Sequence, residues 1–374
     1  MTKTSADSDL TVILGGDVML GRGIDQMLGH PGEPELHEAY LYDARGYLEI
    51  AEAANGTIPY PVQDTWPWGE ALVELHRLRE AAVVMNLETT VTQRDDFAPG
   101  KPVHYRMNPE NLGCLLAVHP DVCVLANNHI LDFGRLGLVD SLTALHGAGL
   151  KTVGAGRTRE QARAPAEVPL TGGGRLVVFA FGHESSGVAR AWAATNDSPG
   201  VAQLPDLTDA TAEQVGASVA AAKADGAVVI VSLHWGSNWG YAVPEERVHF
   251  AHRLVDAGTD IVHGHSSHHP RPIEVYGERL ILYGCGDLIN DYEGIRGYGE
   301  YRQDLRLLYR ASLERHTGRL AEIELLPYQS HRLTLRRASR PDVDWLAESL
   351  ERASHGFGVV YVRTTGDGLR AQWR

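Results

Sequence analysis

The sequence predicts an α/β protein with a parallel-sheet core and a site built along one rim of that sheet. Three observations carry this. Apolar runs of strand length alternate with stretches of helical period, the order expected of βαβ units. Six of the apolar runs stop abruptly at Asp, Glu, Asn or His: residues 10–14 before Asp17, 81–85 before Glu88, 122–126 before Asn128 and His129, 228–232 before His234, 260–262 before His263 and His265, and 280–283 before Asp287. Finally, no Ser/Pro-rich linker, internal repeat or low-complexity tract interrupts the 374 residues. One domain is therefore expected over 1–374, with the rim-site core at 10–300 and C-terminal strands and a helix at 301–374 completing the fold.

Taken in order, 10–14 is a buried strand and 17–23 the loop at its carboxyl end. Residues 30–66 are rich in Pro, Gly, Glu and aromatics without a clean period, which predicts a long surface excursion serving as a lid or binding loop. Leu72, Leu75 and Leu78 give 70–80 a helical apolar stripe leading into the 81–85 strand. A loop follows over 89–107, then a helix over 111–118 stopped by His119-Pro120. The strand 122–126 precedes a helix over 137–146 with Gly147 as its stop. Gly154 and Gly156 form a lone G-x-G that lacks the rest of a nucleotide-binding pattern. The strand 176–181 ends at His183 and Glu184, and helices are expected over 211–223 and 245–257, the latter closed by Gly258. Past Tyr301 the pattern becomes strands (305–312 and 319–326), a helix at 342–353 and a last strand at 358–364.

Composition narrows the function. With 43% hydrophobic and 22% charged residues the chain has the makeup of a soluble globular protein. The excess of 48 acidic over 34 basic residues, a net charge of −14, argues against nucleic acid or an anionic membrane as principal partner. A small or polymeric anionic substrate stays open, because a bound cation reverses the local field. Cys114, Cys123 and Cys285 are an odd set without C-x-x-C spacing, which fits a reducing compartment. The polar N-terminus has no apolar signal core and no stretch is long enough to span a bilayer, so a cytoplasmic location without a membrane anchor is expected.

Asp17, Glu88, Asn128, His129, His234, His265 and His268 make a mixed carboxylate, amide and imidazole set. Hard oxygen donors with imidazole suit one or two divalent ions, Mn²⁺, Fe²⁺, Zn²⁺ or Mg²⁺. Each of these residues alone serves equally well as a turn cap; their convergence on one rim is what argues for a metal. Around them, Lys101, His104 and Arg106 form a small basic patch for an anion, and His183 and Glu184 end a strand on the same rim. Trp66, Trp68, Trp235, Trp239 and Tyr241 are candidates for an apolar cleft wall or for core packing. His263 is expected to pack or hydrogen-bond and His269 to lie at the surface; His183, Glu184, Asp287 and Asn290 are candidates for shaping the substrate pocket, with turn-capping the stronger reading for Asp287 and Asn290. Cys285 lacks the His/Asn partnership of a nucleophile.

The blocks Gly16-Asp-Val-Met-Leu-Gly-Arg22, Asn86-Leu-Glu88, Ala126-Asn-Asn-His129 with Asp132-Phe-Gly134, His234-Trp-Gly236, and Gly264-His-x-x-His268 leading into Pro272-Ile-Glu274 resemble the CapA family. Its domain is named for poly-γ-glutamate capsule biosynthesis and belongs to the calcineurin-like metallophosphoesterase superfamily. The resemblance covers about 10–291 and implies a central β-sandwich flanked by helices. It implies Asp17 as a ligand of a first metal, Glu88 as a bridging carboxylate, and Asn128 and His234 on a second metal, with His265 and His268 completing the pair. His129 stands at the position of the superfamily's general acid, with Asp132 placed to orient it, and Arg22 would face an anionic group. Met19 holds the place of a superfamily histidine, Glu88 that of an aspartate, and the last two histidines are one residue further apart than in the superfamily pattern. Hydrolysis of a phosphoester or a glutamate-type amide by metal-activated water is the chemistry implied. A biosynthetic amide-forming role and a non-catalytic anion-binding module are the alternatives.

Overall fold

Each of the parallel strands begins as a run of apolar side chains pointing alternately to opposite faces, and that alternation lets two sheets share one core. In the computed structural model, which describes residues 9–366 and 368–373, the larger sheet runs Val359–Arg363, Leu369–Trp373, Leu320–Ser330, Leu305–Leu313, Leu10–Val18, Ala82–Leu87, Val122–Val124, Lys151–Val153. Its last four strands are mutually parallel, and the Leu305–Leu313 and Leu320–Ser330 hairpin joins antiparallel to Leu10–Val18. The smaller sheet runs Gln203–Leu204, Arg175–His183, Val228–His234, Ile261–His265, Arg279–Leu282, Ile273–Tyr276, parallel except at the last pair.

Val12, Leu14, Val84 and Val124 of the first sheet pack with Val178, Ala180, Ile230 and Leu282 of the second in one buried cluster. The opposite face of the first sheet (Ile13, Val83, Met85, Cys123) is covered by Leu138, Leu142 and Leu145 of the helix Gly134–Gly147. That of the second (Val177, Phe179, Val229, Val231) is covered by Val215 and Val219 of Asp209–Ala224 and Phe250 and Leu254 of Glu245–Asp256. The result is four layers: helices, sheet, sheet, helices. The C-terminal strands extend the first sheet rather than forming a separate one.

Two places depart from the sequence-based expectation. The excursion 30–66 contains a helix, Arg45–Asn55, that buries Tyr47, Leu48 and Ala51. It starts without a capping side chain, and only three residues of one face are buried, so neither a cap nor a sustained stripe announces it. The segment 111–118 forms only a short helix, Gly113–Leu116, after a 3₁₀ turn capped by the Asn108 side chain. Gly154 is a packing glycine: a Cβ there would lie 2.6 Å from that of Ala126 and 2.9 Å from that of Ala180. No helix among the described residues is long and apolar enough to cross a membrane.

Candidate metal centre

Parallel register places the polar strand ends side by side. Asp17 lies beside both Asn86 and Asp287, and His234 beside His265. The contact between Asp17 and the Asp287–Ile289 strand depends on Gly16, where a Cβ would sit 1.8 Å from the Gly286 carbonyl oxygen. The two sheets meet here as well, since His263 Nε2 donates to the Gly15 carbonyl at 3.1 Å.

Two groups of buried ligand-type side chains result, Asp17 with His234 and His265, and Asp17 with His268 and Asp287, the donor atoms of each lying within 4.8 Å of one another. Asp17 belongs to both groups. Its Oδ1 accepts from Asn86 Nδ2 at 2.7 Å and its Oδ2 from the Ser266 amide at 3.1 Å. Ser266 holds a positive φ of 97°, a strained conformation for a non-glycine residue that aims this amide at the carboxylate. Asn86 also donates to Glu88 Oε2 at 3.0 Å, so one amide fixes both carboxylates. Glu88 Oε1 lies 3.7 Å from His234 Nε2 and 3.9 Å from His129 Nε2.

The electrostatics of this floor ask for positive charge. Burial and neighbouring Asp287 raise the Asp17 carboxyl well above the usual carboxylate range, and burial with Asp17 does the same to Glu88. Burial lowers the rings of His234 and His265, whose Nδ1 atoms face each other at 2.7 Å. Ser232 Oγ bridges the far side, 2.9 Å from His265 Nε2 and 3.0 Å from His263 Nδ1. Burial alone would lower His268 too, but Asp287 (2.9 Å) and Asp17 outweigh it and raise that ring. Carboxylates and imidazoles, without thiolates, fit a divalent ion of the Mn²⁺, Fe²⁺ or Zn²⁺ type.

His129 forms one wall of the small cleft above, a space of about 150 Å³ that Lys101, Asn128, Asn238 and Tyr292 also line. Its Nδ1–H donates to Asp132 Oδ2 at 2.6 Å, which leaves Nε2 facing the cleft. Asp132 is buried, accepts the Tyr105 amide at 2.7 Å and pairs with Lys101 Nζ at 2.5 Å. Burial pushes the His129 ring down to about 4 against the pull of Asp132, so at neutral pH it is uncharged. Asn128 Oδ1 reaches His234 Nε2 at 2.9 Å, and Asn127 anchors the turn through the Leu87 carbonyl at 2.8 Å and Asn86 Oδ1 at 3.0 Å.

The expected set thus divides. Asp17, Glu88, Asn128, His129, Asp132, His234, His265, His268 and Lys101 come together. Arg22 does not face an open cleft: its guanidinium is buried, taken by Asp291, Glu38 and Tyr47 and sandwiched between the Tyr47 and Tyr105 rings, so the anion it meets belongs to the chain itself. His104 donates to the Ala98 carbonyl, and Arg106 to those of Arg94 and Glu33, which makes them loop ties rather than a patch with Lys101. His183 caps a 3₁₀ turn through the Ser185 amide, and Glu184 pairs with Arg190 at the surface. Trp235 and Trp68 are core residues, bonded to the Tyr283 and Cys114 carbonyls. His269 is buried, 1% exposed, under Trp239, Tyr241 and Tyr301 rather than at the surface. Cys285 is buried and its thiol is raised by that burial, in keeping with an inert role.

Asp287 is the main residue undervalued by sequence reasoning. It lies on a strand, Asp287–Ile289, that pairs with Leu10–Val18, whereas a three-residue strand after Gly286 reads as a turn. Asn86 and Asn127 stand out in the sequence only as neighbours of the ligand-type residues they hold.

The family model for the bacterial capsule synthesis protein PGA_cap matches residues 11–292. A probable polyglutamine synthesis accessory protein of Mycobacterium tuberculosis is 52% identical over 361 residues, 96% of this chain and 95% of that one. The PGA biosynthesis protein CapA of Bacillus subtilis is 26% identical over 333 residues, 89% of this chain and 74% of that one. A hypothetical protein from Thermus thermophilus superposes with a TM-score of 0.44 and 15% identity, over 86% of this chain and 99% of that chain. This chain belongs to the PGA_cap capsule-synthesis family, the CapA family.

Proposed function

We propose that this CapA-family protein is a metal-dependent enzyme of hydrolase type, built on the calcineurin-like metallophosphoesterase scaffold and acting on an anionic substrate. The observation that carries this reading is the pair of buried donor groups sharing Asp17 beneath a cleft into which His129 presents Nε2. Asp17, His234, His265, His268 and Asp287 would hold the metal, with Glu88 and Asn128 beside them. A divalent ion bound there would supply positive charge to an anionic oxygen and make water a better nucleophile near neutral pH.

The protein's own groups supply the rest. Asp132 fixes the His129 ring with its Nδ1 proton, so Nε2 is the atom that exchanges protons with substrate. An anion against Nε2 favours the charged ring, which lets it carry a proton and deliver it to a leaving oxygen or nitrogen. Lys101 holds Asp132 and the Asn128 carbonyl together, which keeps His129 and Asn128 in fixed relation.

The names of the relatives favour polyglutamate-type amides over simple phosphoesters as substrate. They also motivate a second reading, in which the same site serves amide formation with a partner that supplies activated carboxylate. Metal analysis of the protein loaded with Mn²⁺ or Zn²⁺, followed by turnover of aryl phosphoesters and γ-linked glutamate oligomers, tests both. Asp132→Asn should lower turnover by roughly 10²–10⁴-fold, the usual contribution of positioned proton transfer. Protein that takes up no metal, or whose turnover is indifferent to Asp132→Asn, would sink the hydrolase reading.

A further inference from the structure

A second cavity, of about 510 Å³, lies between the segments 292–306 and 329–336. It shares one wall residue, Tyr292, with the metal cleft. Its volume is in the range of small-ligand sites, roughly 300–1,000 Å³.

The charges of its lining are unevenly satisfied. Glu293 Oε1 accepts from Asn55 Nδ2 and the Arg332 amide, both at 2.6 Å, and Oε2 from the Leu333 amide at 2.8 Å. Asp304 is held by Arg302 in two bonds of 2.9 Å and by Gln329 at 2.7 Å. Both acids are therefore occupied within the chain. Arg306, 1% exposed, is not: among the described residues its Nη atoms donate only to neutral oxygens, Asn290 Oδ1 at 2.6 Å and the Gln303 carbonyl, and its Nε has no partner. Asp287, Asp304 and Glu293 attract it through space, but a buried guanidinium that donates to no carboxylate is costly. At the rim, Arg296 is exposed and Arg336 donates to the neutral Gln329 Oε1 at 2.7 Å.

The cavity is also wired to the metal floor. Arg306 holds Asn290, Asn290 Nδ2 donates to Asp287 Oδ2 at 2.6 Å, and Asp287 pairs with His268 at 2.9 Å. We propose that this cavity is a carboxylate subsite of the metal cleft, binding one carboxylate of an extended acidic chain that passes over Tyr292 while another unit of the same chain lies against His129. Arg306, in the cavity lining and bonded to no carboxylate, provides the inner contact and Arg296 the outer one. The walls already carry Glu293 and Asp304, which suits a single negative charge better than a phosphate dianion. The proposal rests on the reading of the metal cleft as the reacting site.

Calorimetric titration of the full chain with γ-linked glutamate dimer and hexamer, and with inorganic phosphate, tests it. The hexamer should bind the wild type roughly tenfold more tightly than the dimer, as one added charge-assisted contact gives. Arg306→Gln should erase that preference, and so should the rim variant Arg296→Glu, whose exposed position spares the fold. A length preference that survives Arg296→Glu, a hexamer that does not bind the wild type, or phosphate that displaces it at equal concentration would each overturn the subsite. Mn²⁺ uptake, measured in parallel on wild type and Asp17→Asn, reads the metal centre separately. Should uptake fail while length preference still depends on Arg296, the metal reading falls and the carboxylate subsite stands.

Discussion

Replacing Asp17 by Asn should abolish metal-linked stabilisation while leaving the metal-free protein nearly as stable as before. Two local effects oppose each other in the metal-free state. Asn can accept only one of the two hydrogen bonds that Asp17 accepts, from Asn86 and from the Ser266 amide, and the orphaned donor costs ~1–3 kcal/mol. Against this, burial and Asp287 raise the Asp17 carboxyl in the folded state, so its ionisation opposes folding. A group with a raised folded pKa contributes its stability in full below the unfolded value and loses it as pH rises through the folded one, here from about 4 to about 7. At neutral pH the amide is therefore relieved of a charge, and the two effects should cancel to within ~2 kcal/mol. With Mn²⁺ at a hundredfold excess over its dissociation constant, the wild type should gain ~2.7 kcal/mol. For a chain of this length that is a rise in melting temperature of about 3 °C. Asp17→Asn removes a member of both donor groups and should show no rise, whereas Glu88→Gln should retain part of it. Thermal unfolding with Mn²⁺ and with EDTA decides the matter. If Asp17→Asn keeps the full shift and Glu88→Gln loses it, Glu88 is the shared ligand and the reasoning from the two groups is wrong.

Gly16→Ala should destabilise by at least ~3 kcal/mol in chemical denaturation and release bound metal, because its Cβ would collide with the Gly286 backbone beside Asp17 and Asp287. Trp68→Ala should cost ~3–5 kcal/mol, since a fully buried indole bonded to the Cys114 carbonyl leaves a large cavity. For Asp304, burial would raise the carboxyl but the Arg302 and Gln329 hydrogen bonds outweigh it and lower it. A depressed folded pKa stabilises above the unfolded value near 4 and is lost below it, so Asp304→Asn should flatten the acid side of the stability profile. The pair is partly exposed, which limits the effect to less than about 1 kcal/mol. Acid titration of unfolding for both proteins checks the sign.

Much of the molecule is legible from the chain alone. Buried parallel strands show as continuous apolar runs because both of their faces are covered, and each such run here ends where its polar residue reaches the rim. That is why Asp17, Glu88, Asn128, His234 and His265 can be named as a set, and why His129 and Asp132, three residues apart, can be paired. Charged side chains between strands are different, because their partners are set by packing between distant segments. Arg22 reads as free for an anion until residue 291 supplies Asp on one side and residue 38 supplies Glu on the other. Trp235 reads as either cleft wall or core, and His269 as a surface residue, until the second sheet and its loops close over them. Asp287 needs the register of a three-residue strand to reach Asp17. Local pattern determined the α/β class, the rim and the kinds of polar side chain gathered there. Only the tertiary structure decided which carboxylate is shared and which cations remain unpaired, because both depend on distances between residues far apart in sequence.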